Sequence, residues 1–180
     1  MLLGQLLSDR GQSFEVVAIG GGGLQLIGAI DRPTKDLDLV ALIKDGALIS
    51  LQQTLPEALA EAITDVARVL NLPTNWVNAG PSSPLRFGLP DGFQGRLERR
   101  TYGGLAVSLA HRLDQIHFKL YAAADDRPGG KHHRDLEKLH PTRDELLTAA
   151  QWAKTHDTSE GFSLMLAGVL AAFDVDGSTS

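Results

Sequence analysis

The chain has 180 residues, of which 43% are hydrophobic, so it is long enough for one domain with a substantial core. Its 17 Lys and Arg against 22 Asp and Glu give a formal net charge of −5, which argues against broad DNA binding driven by overall charge. The absence of cysteine excludes disulfides, a thiol nucleophile and zinc–thiolate sites. The N-terminus lacks a signal-peptide pattern, and no apolar run is long enough to suggest a membrane span, so we expect a cytoplasmic protein.

The first part of the chain predicts alternating helices and strands. The run from Phe14 to Ile19 is apolar and β-branched, which is typical of a buried strand. Apolar residues recur at helical spacing up to Leu70, and Pro56 is placed in the first turn of that helix, where proline is tolerated. The predicted elements are helices over 1–9, 24–29 and 51–70 and strands over 14–19 and 37–43.

The second part predicts a short strand, a hairpin and then helices only. Residues 78–95 are rich in Gly, Pro and Ser and are predicted to form a loop. Thr142 and Glu145 have the spacing of a capping box at a helix start. The predicted elements are strands over 76–78, 97–101 and 105–109 and helices over 111–124, 131–139, 142–154 and 161–173.

This order predicts an α+β fold, with a mixed sheet, flanking helices and a helical C-terminal part. We expect a sheet core over 1–110 and a helical part over 111–175 packed on it, so that the whole forms one compact domain. Residues 176–180 are predicted to be a frayed tail.

Two aspartates beside a glycine run are the strongest chemical signal. In a strand, Asp36 and Asp38 project to the same face while the leucines between them pack on the other. Paired carboxylates are readily explained by Mg²⁺ or Mn²⁺, which also binds substrate phosphates. Gly20–Gly23 permits a tight turn with accessible backbone N–H groups. The alternatives are a solvated strand edge for the acids and a structural turn or dinucleotide loop for the glycines, although the dinucleotide glycine spacing fails in every register.

Two blocks of residues resemble the nucleotidyltransferase superfamily that includes DNA polymerase beta. The first is Gly20-Gly21, then Gly28, then Arg32-Pro-Thr-Lys-Asp-Leu-Asp38; the second is Lys119-Leu-Tyr-Ala122 followed by Arg127 and Arg134-Asp-Leu136. Together they look most like the AbiEii-type branch of toxins from toxin–antitoxin systems and related uncharacterised nucleotidyltransferases.

The resemblance implies transfer of a nucleotidyl group from a nucleoside triphosphate to a hydroxyl on RNA, protein or a small molecule, with an antitoxin protein as a further expected partner. It assigns the metal to Asp36 and Asp38, and catalysis to these two residues and Lys119. The nucleotide-binding residues that it implies are Gly20, Gly21, Arg32, Thr34, Lys119, Arg134 and Asp135.

The chain departs from the family pattern at a third carboxylate, which active members usually add from a neighbouring strand. Here that strand, Leu105–Leu109, has Ser108 as its polar residue and no acid. A catalytically silent protein that acts as a ligand- or partner-binding module is therefore the alternative function. Two structural alternatives also stand: Lys119 extends to the surface from an apolar helix, and His132-His133 is a surface pair.

Overall fold

A computed structural model of the chain describes residues 2–51, 54–79 and 88–175, and these residues confirm the α+β class. They form two compact units. The sheet unit contains the described residues within Met1–Arg86 together with Gly92–His111, and the helical unit contains those within Phe87–Asp91 and Arg112–Ser180. The predicted frayed tail at 176–180 lies outside the described residues.

One mixed sheet of six strands forms the centre of the sheet unit. Its order is β3-β2-β1-β6-β5, and β4 pairs with β2 off this path. The β1–β6 and β2–β4 pairs are parallel, and the other pairs are antiparallel. The strands are β1 (Phe14–Ile19), β2 (Leu37–Lys44), β3 (Ala47–Ser50), β4 (Val77–Asn78), β5 (Glu98–Tyr102) and β6 (Leu105–Leu109).

The described residues of this unit form three α-helices, α1 (Leu2–Asp9), α2 (Gly20–Leu26) and α3 (Glu57–Leu70), and a short 3-10 helix, Phe93–Arg96. Because side chains alternate along a strand, Val16 and Ala18 of β1 share one face and join the core with residues of α1 and α3. Leu39 of β2 is in the same core, so its neighbour Asp38 projects from the other face of the strand. The hydrophobic pattern thus places Asp38 away from the core.

Two predicted helix starts are wrong, and one strand was not predicted. Helix α2 begins at Gly20 instead of Leu24, because the glycines themselves adopt the first turns. Helix α3 begins at Glu57 instead of Leu51. Pro56 is extended with ψ 137°, and a residue before proline is biased away from the helical conformation. The short edge strand β3 had no periodic signal of its own in the sequence analysis.

The helical unit contains α4 (Arg112–Ala124), α5 (Lys131–Lys138), α6 (Arg143–His156) and α7 (Glu160–Ala171). All four predicted helices are confirmed with bounds shifted by at most two residues. Helix α4 packs against the other three helices of the unit. The predicted capping box is confirmed: Thr142 Oγ1 accepts from the backbone N–H of Glu145, and the Glu145 carboxylate accepts from the N–H of Thr142. None of the described helices combines the length and apolarity needed to cross a membrane.

Candidate functional site

The glycine segment packs directly against the strand that carries Asp38. An ideal Cβ built on Gly20 would stand 2.5 Å from Asp38 Oδ2, and one on Gly22 would stand 2.8 Å from the backbone oxygen of Asp36. Real Cβ atoms do not approach other atoms so closely, so a side chain at either position would force the Asp38 side chain or the Asp36 backbone to shift. Gly20 also has φ +71°, a conformation that favours glycine. The close approach of bare backbone to a carboxylate is therefore built into the local sequence.

Two further predicted residues lie at the same turn. A Cβ on Gly21 would stand 3.1 Å from Thr34 Cγ2 and 3.3 Å from the guanidinium Nη2 of Arg32. The Thr34 hydroxyl donates to the side-chain oxygen of Gln25 at 2.9 Å, which ties the 31–36 segment to helix α2. The structure thus brings together Gly20, Gly21, Arg32, Thr34 and Asp38, and the nucleotide and metal roles assigned to them stay a prediction.

The two aspartates have different environments. Asp36 precedes β2 and is exposed, whereas Asp38 lies within β2 and is half-buried. Asn78 of β4 stands opposite Asp38 in the parallel register, and its Nδ2 donates to Asp38 Oδ1 at 3.1 Å. The sequence predicts a short strand at Asn78, but nothing local signals its pairing with Asp38 across 40 residues.

In the described part of the chain, no acid of the neighbouring strands supplies the missing third carboxylate. Ser108 of β6 donates to Glu15 Oε1 at 3.0 Å, while Glu15 Oε2 accepts from Arg99. Ile19 is the β1 residue paired with Asp38, and four residues of strand, about 13 Å, separate it from Glu15. Glu98 lies on β5, three strands from β2 and so about 14 Å away, and it binds Arg100.

The second predicted block forms a buried ion pair within the helical unit. Lys119 Nζ donates to Asp135 Oδ2 at 2.8 Å, and their side chains are 4% and 2% exposed. The alternative that Lys119 extends to the surface is therefore wrong. Arg134, by contrast, is exposed, and its Nη1 donates to the backbone oxygen of Gly129.

The histidines beside this pair are not the predicted surface pair. His133 is buried, His132 is half-buried, and the Nδ1 atom of each is buried without a hydrogen-bond partner among the described residues. Burial first, and then the positive charges of Lys119 and Lys131, lower the pKa of His132 to about 4. The same short helix also carries exposed polar residues, so the sequence pattern did not indicate that the histidines are buried.

Comparison of the chain with protein-family models, with curated proteins and with solved structures finds no match. The family is therefore not shown by similarity. The resemblance to nucleotidyltransferases stays a prediction that rests on the two blocks of motif residues.

Proposed function

We propose that this chain is a metal-dependent, nucleotidyltransferase-like protein that binds a nucleoside triphosphate at the glycine segment. The observation that carries the proposal is the packing of Asp38 against Gly20, with Oδ2 2.5 Å from the position of a Cβ. This arrangement leaves backbone without side chains beside a carboxylate, which suits the approach of a metal-bound phosphate group. The acceptor is a hydroxyl group of RNA, a protein or a small molecule.

Asp36 and Asp38 suit a cation that binds together with its nucleotide. Among the described residues, no three His, Cys, Asp or Glu side chains are grouped so that they could hold a metal ion alone. Mg²⁺ commonly binds one or two carboxylates and completes its shell with water and substrate phosphates. Asp36 and Asp38 would hold Mg²⁺ or Mn²⁺ in this way. When bound, the cation supplies charge neutralisation at the phosphates and polarisation of the reacting oxygen.

The chain's own residues orient the nucleotide and its charge. Arg32, beside Gly21, neutralises phosphate oxygens, and the Thr34 hydroxyl holds the segment in place through Gln25. Asn78 fixes the Asp38 carboxylate by its hydrogen bond to Oδ1. In the transfer, the acceptor oxygen forms a bond to the α-phosphorus, pyrophosphate leaves, and the hydroxyl proton passes to solvent.

The second block stays part of the proposal as a separate prediction. The nucleotide-binding roles of Lys119, Arg134 and Asp135 remain predictions of the resemblance; within the helical unit, the Lys119 ammonium donates to the buried Asp135 carboxylate. Three further points likewise remain proposals: a role as the toxin of a toxin–antitoxin system, the binding of an antitoxin protein, and a cytoplasmic location.

Nucleotide titration with and without Mg²⁺ tests the binding step. Binding is expected to need the cation and to weaken at least tenfold in Asp36→Asn/Asp38→Asn, because both proposed ligands lose their charge. Asp45→Asn is the matched control, since Asp45 lies in the β2–β3 turn, away from the glycine segment. Equal affinity in the double variant and the wild type contradicts the proposal.

Label transfer separates catalysis from a silent binding module. The silent alternative is favoured by one observation, the Ser108–Glu15 hydrogen bond on β6 in place of an acid directed at the site. Incubation with triphosphate labelled at the α-phosphorus and a mixed RNA and protein pool is expected to label an acceptor and release pyrophosphate. Cation-dependent binding without transferred label would favour the silent module instead.

A further inference from the structure

The sheet unit contains a partly open cavity of about 330 Å³ between its sheet and helices α1 and α3. Of its lining residues, Leu3, Val16, Leu59 and Ile63 are each at most 6% exposed, so most of the wall belongs to the core. The rim is more open, since Leu26 is 37% exposed and Trp76 is half-buried. The full lining is Leu3, Val16, Leu26, Leu37, Leu39, Leu59, Ile63, Trp76, Val77, Tyr102, Leu105 and Val107.

The wall is mainly apolar. Trp76 and Tyr102 are the two lining side chains that carry a polar atom. The Trp76 Nε1–H donates to the backbone oxygen of Ile63 at 3.1 Å, so the Tyr102 hydroxyl is the remaining side-chain polar atom of the lining. An ordered water needs two to four polar partners, and a charged ligand needs a counter-charge. Neither is provided by this wall.

The size of the cavity also points to a ligand. Apolar cavities of less than half this volume stay dry and accept benzene, and ligand pockets begin at about 300 Å³. Empty apolar volume lowers the stability of a core in proportion to its size, because the lining atoms lose packing partners. A ligand with the same apolar character restores those contacts.

We propose that this cavity binds an uncharged apolar small molecule, such as an aromatic or cyclic aliphatic compound. The site lies on the opposite face of β2 from Asp38, since Leu37 and Leu39 line the cavity and Asp38 alternates with them. Its test does not depend on nucleotide binding.

Methyl NMR spectra of the full-length chain, titrated with toluene, cyclohexane and benzoate, test the proposal. Toluene is expected to shift the methyl signals of Val16, Ile63 and Val107, while those of Leu136 and Leu146 in the helical unit stay unchanged. Benzoate has the same ring with a carboxylate and is expected to cause no shift, because its charge has no partner in the wall. Shifts with cyclohexane as well identify a general apolar site, and shifts with toluene alone identify an aromatic one.

A substitution that fills the cavity provides a variant for this test. Val107→Phe places a larger side chain in the cavity. It is expected to weaken toluene binding about tenfold or more, because the added ring occupies volume that the ligand would fill. Val69→Phe makes the same substitution at a residue that is 73% exposed, and it is expected to leave toluene binding unchanged. Ile63→Phe serves if Val107→Phe does not fold. Absence of toluene shifts at the lining methyls of the wild type, or equal shifts with benzoate, overturns the proposal.

Discussion

Gly20 is under two constraints, each of which favours the absence of a side chain. Its φ is +71°, and a Cβ would stand 2.5 Å from Asp38 Oδ2. Gly28 shares the first constraint, with φ +76°, but has open space around the Cβ position. A comparison of Gly20 with Gly28 therefore separates the cost of the positive φ from the cost of the contact with Asp38.

Replacing these two glycines by alanine is expected to give unequal losses of stability. Gly28→Ala should lower the free energy of unfolding by about 1–2 kcal/mol, the cost of a left-handed conformation for a residue with a Cβ. Gly20→Ala should cost more, because Asp38 must also move. Urea denaturation of both variants measures the difference, and equal losses would contradict the close packing at Gly20.

The Lys119–Asp135 pair illustrates how burial changes the effect of an ion pair on the free energy of unfolding. Removing one partner leaves a charge in the core without compensation, so Lys119→Met is expected to lower the free energy of unfolding by about 3–5 kcal/mol. The double variant Lys119→Met/Asp135→Leu should recover most of this loss. Arg68→Met, at a side chain that is 73% exposed in its pair with Asp65, is the control and should change stability little. Equal effects of the Lys119 and Arg68 variants in urea denaturation would show that the buried pair is not formed.

His132 predicts a dependence of stability on pH. Its pKa is about 4 in the folded chain against 6.5 as the ordinary value, because burial disfavours the charged ring. Between these values the unfolded state binds the proton and the folded state does not, so this residue lowers stability as pH falls from 6.5 towards 4. The difference in unfolding free energy between wild type and His132→Gln should therefore decrease over that window and level off below it. A constant difference from pH 7 to pH 4 would refute the assignment.

At the scale of the elements, the start of α6 combines a cap with an ion pair. Thr142 and Glu145 form the capping box, and the Glu145 carboxylate also accepts two hydrogen bonds from Arg112 of α4. These contacts lower the pKa of Glu145, first through the hydrogen bonds from Arg112. The Thr142–Glu145 pair thus caps the start of α6, and Glu145 also joins this helix to α4.

Thr142→Ala is expected to lower the free energy of unfolding by about 1 kcal/mol, because a backbone N–H at the helix start loses its acceptor. Thr155→Ala, near the end of the same helix and exposed, is the matched control and should change stability by less than about 0.5 kcal/mol. Thermal or urea denaturation distinguishes the two, and equal effects would mean that the cap does not form in solution.

At the scale of the whole molecule, charge decides which partners are attracted without specific contacts. The formal net charge is −5, so the chain as a whole repels a phosphate backbone. We expect no binding to random-sequence duplex DNA at about 0.15 M salt, where screening leaves only local contacts. Fluorescence anisotropy with a labelled duplex measures this, and micromolar binding that weakens with salt would contradict it.

The sequence by itself determined the α+β class, the strand Phe14–Ile19, the hairpin of β5 and β6 and the capping box at Thr142. Each of these depends on a local pattern: apolar runs, side-chain alternation, a glycine pair between strands, or two residues three positions apart. The predicted start of α3 was wrong because Pro56 is extended, whereas that of α2 was wrong because its glycines are themselves helical. The glycines of α2 are held in place by Asp36 and Asp38, and that contact is not local.

Only the tertiary structure decided the pairing of Asn78 with Asp38, the burial of Lys119 with Asp135 and of His133, and the apolar cavity. The contacts join residues that are 16 to 40 positions apart, and the cavity is lined by residues of eight elements. A chain pattern records which residues are polar or apolar, but sheet register and helix packing decide which of them meet. For that reason the glycine and aspartate segment could be predicted from the spacing of its residues. The Asn78 amide that binds Asp38 and the cavity on the other face of β2 could not.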